Sequence, residues 1–198
     1  MVTRFLMPGV AALWLLSAAT GPVLQSRALQ QNKPTLQRPL TDSDRSQRLQ
    51  NMLAAAVRHE LVTLPYYDVF DWLEAELPSD GSVVLRGEVV RPTTSDDAEN
   101  RVRKIEGVAG VVNQIKVLSI SPRGNDLRIA LYRAIYDWNS PLFRYAMRAM
   151  PPIHIVVENC RVTLKGAIAS QLESQLAYTA ANQVPGVFEV LNELRIDK

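Results

Sequence analysis

The sequence predicts an α+β protein built from two copies of one small αββαβ domain, and three observations lead there. First, residues 83–117 and 162–196 align at a shift of 79 residues without a gap. Leu85 meets Leu164, Gly87 meets Gly166, Gly107 meets Gly186, Val111 meets Val190 and Asn113 meets Asn192. Self-similarity at one fixed shift marks a repeated structural unit, and two copies make a duplicated domain, not a solenoid. Second, the apolar spacing switches between helical and alternating patterns in the same order in both copies. Third, Asp80-Gly81 and Asn159-Cys160 stand between alternating apolar runs, where a hairpin must turn.

Residues 1–28 read as a secretory signal peptide: Arg4 supplies a positive start, Phe5 to Ala19 is almost wholly apolar, and small residues follow. Cleavage after Ala19 or after Ala28 fits the small-x-small rule equally. Residues 29–44 are polar and aperiodic, which makes a linker. The first copy occupies 45–118. Leu49, Leu53, Val57 and Leu61 form a helical stripe after possible caps at Asp42, Ser43 or Asp44. Val69 to Leu77 is the first strand, with Leu73, Ala75 and Leu77 on one face and Trp72, Glu74 and Glu76 on the other. Ser82 to Val90 returns, a helix runs over about Asp96 to Ile105, and Val111 to Leu118 closes the sheet.

Residues 119–125 make a hinge, and 126–198 repeat the order. Leu127, Leu131 and Ile135 form the helical stripe, Ile153 to Val157 and Arg161 to Ala169 the hairpin, and Ser170-Gln171-Leu172-Glu173 a capping-box spacing. A helix to about Val184 and a strand over Val187 to Ile196 complete it. Gly107 and Gly186 fall where these helices must stop, as left-handed caps. Gly87 and Gly166 interrupt strands, which calls for a close backbone approach; a helix passing over the sheet supplies one.

Composition narrows the chemistry. A net charge of +2 gives no footprint for nucleic acid. Residues 45–120 hold nine Lys/Arg against eleven Asp/Glu, and residues 121–198 nine against seven, so any basic surface belongs to the second copy. One cysteine, Cys160, and two histidines, His59 and His154, argue against a metal site, and no phosphate loop or nucleophile motif occurs. His154, Glu158 and Cys160 would be strung along one strand instead of converging on a point, so no enzyme and no cofactor is expected. Cys160 is either a turn residue or a thiol able to link two chains in an oxidising compartment.

Val83, Leu85, Gly87, Val89, Gly107, Val108, Val111, Asn113, Ile115 and Val117, with the second-copy positions Val162 through Ile196, form a pattern that resembles the BON domain in tandem, of the osmotically induced periplasmic protein type. The resemblance implies a three-stranded mixed sheet with two helices on one face in each copy. It also implies a non-catalytic role in the periplasm, binding phospholipid surfaces or envelope proteins. The sequence departs from the pattern at Cys160, which replaces a turn glycine, and at the insertion Trp138 to Pro152.

That insertion carries the sharpest expectation of a site. A helix started by Ser140-Pro141 would put Arg144 and Arg148 on one face and Phe143, Met147 and Met150 on another. With Arg128, Arg133, Trp138 and Tyr145 it makes a basic, aromatic segment suited to anionic lipid; alternatively its apolar face packs under the other copy. Phe70 and Trp72 offer an aromatic patch for a protein partner, or a contact with the second copy.

Overall fold

In each half of the chain the two alternating runs pair as a hairpin and the third strand joins it in parallel, as the αββαβ order dictates. The computed structural model describes residues 41–197; the expected signal peptide and most of the expected linker lie outside them. The elements are α1 (Asp42–Val62), β1 (Trp72–Glu76), β2 (Ser82–Val89), α2 (Pro92–Val102) and β3 (Gly110–Val117), then α3 (Pro122–Ile135), α4 (Phe143–Ala146), β4 (Ile153–Glu158), β5 (Arg161–Ile168), α5 (Gln171–Asn182) and β6 (Glu189–Ile196). They form two three-stranded sheets, ordered β1-β2-β3 and β4-β5-β6. The hairpin pairs are antiparallel and the pairs closed by a helix crossover are parallel.

Alternation decides which face each sheet buries. Val83, Leu85 and Val89 point inward with Val57 and Leu61 of α1 and Ala98 and Val102 of α2. In the second copy Ile153, Ile155, Val162 and Leu164 meet Leu131 and Ile135 of α3 and Ala177 and Ala181 of α5. Both helices of each copy thus lie on one face of its sheet. Asn113 shows why the repeat carries an asparagine here: its Nδ2 donates to Ser95 Oγ at 3.1 Å, and Asn192 repeats the bond to Ser174 at 2.8 Å. Each pins its helix to the last strand, and each Oδ1 accepts the N–H two residues on.

Three helices, α1, α2 and α3, start earlier than expected, while α5 opens after Ser170 as expected. α1 is capped by Thr41, whose side chain and that of Asp44 close a capping box. α2 begins at Pro92, where a missing N–H costs nothing. α3 is capped by Ser121 instead of Asp126. Gly107 and Gly186 are not helix caps: α2 and α5 end in right-handed residues, Arg103 and Gln183. Each glycine instead sits third in a turn closed by Val108 N–H to Ile105 O or by Val187 N–H to Val184 O, with φ of 94° and 93°.

Nor does a helix explain Gly87 and Gly166. Both have φ of 124°, and a Cβ there would lie 1.9 Å from a backbone oxygen of the paired strand's start, Trp72 O and Pro152 O. The close approach comes from within the sheet.

The two copies belong to one compact unit, Leu40–Lys198. Their helix-free sheet faces turn toward each other: Lys165 pairs with Glu88 at 3.1 Å, both largely buried, and Lys116 with Glu158 at 2.6 Å. The segment joining α1 to β1 does more. Val69 is buried in the second core, and its carbonyl accepts the Ile155 N–H at 2.7 Å along the outer edge of β4.

Candidate binding surface

Residues 138–152 do not form the expected amphipathic helix. Only Phe143–Ala146 is helical, and Pro151-Pro152 leads straight into β4. The buried side chains are Leu142 and Tyr145, one turn apart and between the two faces that the spacing suggested. Their burial turns the rest outward: Trp138 is 76% exposed, Phe143 41% and Met147 78%. The apolar face therefore does not pack under the neighbouring copy.

The loop is held from below. Tyr136 Oη donates to Ile153 O at 2.8 Å, and Asp137 accepts the Asn139 N–H at 2.8 Å. Tyr145 Oη donates to the buried Glu173 carboxylate at 2.9 Å, which also accepts from Arg144 and from the Ala169 N–H. Ser170 caps α5, but the Glu173 carboxylate goes to these partners instead of closing a capping box on the Ser170 N–H. The guanidiniums of Arg144 and Arg148 stand 5.0 and 5.1 Å from the Tyr145 ring centre, a cation–π spacing that keeps both charges at the surface. Arg133 is exposed on the last turn of α3.

Arg128 does not join this surface. It is 3% exposed and donates to Val157 O at 3.0 Å and Asn125 Oδ1 at 3.1 Å, because its helix face is turned toward the junction of the copies. Phe70 and Trp72 are likewise spent inside the chain. Phe70 meets the edge of the Tyr132 ring at 6.4 Å, and Trp72 meets His154 at 5.1 Å. The aromatic patch is an internal contact, not a free docking face.

His154 stacks near Tyr67 and donates through Nδ1 to Asp71 O at 2.6 Å; burial pushes its pKa down. Burial pushes the Asp71 carboxyl up to about 6, against the bond it accepts from the Val90 N–H at 2.6 Å. His154, Glu158 and Cys160 are engaged apart: the first with Asp71, the second with Lys116, the third at the hairpin turn. Among the described residues no cluster of His, Cys, Asp or Glu is placed to hold a metal ion, and no helix is long and apolar enough to cross a membrane.

The BON domain model matches residues 78–119 and 145–198, which takes in β2 to β3 of the first copy and β4 to β6 of the second. The chain carries two BON domains. BON domains form a family of non-catalytic binding domains, and the match points to an envelope-related role. The second match begins at Tyr145, so it takes in Met147 and Arg148 but not Trp138 or Phe143. No curated protein matches the chain. Solved structures similar to it include CdsD, a structural protein of the type III secretion system of Chlamydia trachomatis, at 12% identity and a TM-score of 0.29, covering 74% of this chain and 92% of that one. The C-terminal domain of CdsD gives 10% identity and a TM-score of 0.26, covering 73% and 96%.

Proposed function

We propose that the chain is a non-catalytic periplasmic protein that binds anionic phospholipid surfaces through the loop 138–148 of its second BON domain. The observation that carries this reading is the loop itself: Trp138, Phe143 and Met147 stand in solvent beside Arg144 and Arg148. An exposed indole and thioether among guanidiniums match the interface of a bilayer, where amphipathic rings and cations are both favoured. Each cation near an anionic surface contributes about 1 kcal/mol, and apolar side chains add to it by leaving water. The reading by which a protein partner docks on Phe70 and Trp72 loses its basis, since both rings contact the second domain.

The test is co-sedimentation of the chain from Leu29 onward with neutral and with anionic vesicles at two salt concentrations. Trp138→Ser/Met147→Ser and Arg148→Glu are run beside it, since Trp138 and Met147 are largely exposed and Arg148 only overlies the Tyr145 ring. Binding to anionic vesicles that weakens with salt and with either variant supports the proposal. Equal binding by wild type and variants, or none at any salt, refutes it.

A further inference from the structure

Each three-stranded sheet has two edges, and the chain treats the four differently. β1 is five residues long and carries Glu74 and Glu76, while the outer edge of β4 is taken by Val69. β3 carries Lys116 with no acidic residue on the strand, a composition that discourages strand addition. β6 is left. It runs eight residues without proline or lysine, and no strand pairs with its outer side among the described residues. Leu191 and Ile196 on it are 46% and 42% exposed, and Phe188 just before it is 76% exposed.

Backbone alternation sets which groups this edge offers. The Asp197 N–H donates inward to Ile168 O at 2.9 Å, so the N–H and C=O groups of Val190, Asn192 and Leu194 face outward. Asn192 Oδ1 accepts the outward Leu194 N–H at 3.3 Å, a longer bond than the 3.0 Å of its counterpart from Ile115 to Asn113. The side chains along the edge complement themselves when the strand is reversed. Antiparallel pairing with Asn192 opposite its own copy sets Glu189 against Arg195, Val190 against Leu194 and Phe188 beside Ile196. Residues of one face meet, which keeps the helices of both copies on the same side. Moving the centre by one residue sets Glu193 against Glu189 or against itself, and like charges directly opposite are unfavourable. The same register on β3 sets Gly110 against Lys116 and Val112 against Gln114, with no complementary charge. Glu189 and Arg195 already reach Arg161 at 3.4 Å and Glu74 at 3.5 Å, but all four side chains are at least 43% exposed, which leaves room for a second partner.

We infer that two copies of this chain pair antiparallel along β6, joining their second-domain sheets into one continuous sheet. The interface is isologous, so the Glu189–Arg195 pair and the Phe188–Ile196 contact each occur twice. Its two-fold axis runs normal to the sheet. α5, and the 138–148 loop tied to it through Glu173, therefore lie on the same side in both copies, and the dimer presents two such loops to one surface. That consequence rests on the membrane role proposed above; the strand pairing does not.

Sedimentation equilibrium of the chain from Leu29 onward tests the pairing, with reductant present so that Cys160 cannot link copies. Over roughly a hundredfold range of concentration the monomer is expected to pass to twice its mass. Glu189→Arg and Arg195→Glu each set like charges opposite one another at both ends of the interface, and each is expected to weaken dimerisation about tenfold. Glu189→Arg/Arg195→Glu restores the opposite pairs and with them the dimer. Phe188→Asp changes an exposed side chain outside the strand, and its expected loss of dimer decides the matter if a charge variant does not fold. Monomer at every concentration leaves the edge to a strand of another protein and overturns the inference. So does a dimer that neither single charge change nor Phe188→Asp weakens, or one that the double exchange fails to restore.

Discussion

Replacing Gly87 with alanine tests the reason given for the strand glycines, and Gly107→Ala is its control. Both positions hold positive φ, 124° and 94°, so both variants carry backbone strain of about 1–2 kcal/mol. They differ in what a Cβ meets. At Gly107 nothing lies within 4 Å, whereas at Gly87 the Trp72 carbonyl oxygen lies 1.9 Å away and its carbon 2.9 Å. The start of β1 must retreat by about 1 Å to reach even a tight contact. That movement opens the antiparallel ladder at Trp72–Glu88 and shifts Trp72 off His154. Overpacking adds about 1–3 kcal/mol, and a weakened ladder bond about another 1 kcal/mol. Gly87→Ala is therefore expected to cost about 3–6 kcal/mol against about 1–2 kcal/mol for Gly107→Ala. Urea unfolding followed by circular dichroism gives both differences from midpoints at a common slope. Equal losses in the two variants would refute the close-approach argument, because backbone angle alone would then account for both.

Three further outcomes follow from the structure. Cys160 holds φ of 63° next to Asn159 at 50°, the pattern of a two-residue turn that favours glycine in its second place, so Cys160→Gly is expected to raise the urea midpoint by about 0.5–1 kcal/mol in stability and Cys160→Val to lower it. Asp71 has a folded pKa near 6, above its unfolded value of 3.8, so between those values the folded chain holds the proton and stability rises as pH falls. His154, with its pKa pushed down, opposes this below about 6.5. Asp71→Asn should therefore make stability fall more steeply between pH 7 and pH 4 than in wild type, and an unchanged slope would show that Asp71 does not titrate this way. Val69→Ala removes two methyl groups from the second core and is expected to cost about 1–3 kcal/mol, read by hydrogen exchange as lost protection at Val162 and Leu164. Loss confined to Val83 and Leu85 would place Val69 in the first core instead.

Periodicity made the repeated αββαβ order legible, because the stripe Leu127, Leu131 and Ile135 and the alternation Val83, Leu85 and Val89 are local patterns that burial enforces. The 138–152 loop was legible in composition and not in shape. Two superimposed helical stripes suggested a long helix, while the residues that anchor the loop, Leu142 and Tyr145, lie between them and depend on Glu173 from another element. Arg128 looked like one more surface cation because a single arginine on a helix leaves no local trace of what faces it. The strand glycines were recognised as close approaches, but their neighbour is set by hairpin register, which the sequence leaves open by one residue: β1–β2 pairs Glu76 with Val84, and β4–β5 pairs Glu158 with Arg161.

Least legible of all was the segment between α1 and β1, and it decides how the two domains relate. Domains of this size bury little surface alone, and an uncovered β4 would present an open edge for pairing. The connection answers both needs. Val69 enters the second core, its carbonyl takes the Ile155 N–H, and the Asp71 carbonyl takes His154 Nδ1–H while its carboxylate holds the Val90 N–H. The three-residue stretch Val69–Asp71 therefore bonds to both sheets. Such a junction resists hinge motion, because rotating the second domain away would strip its hydrogen bonds from Ile155 and His154 and the buried Val69 side chain together. The 138–148 loop consequently projects from a body whose two domains hold one orientation, and a surface bound through the second domain also fixes where the first one faces.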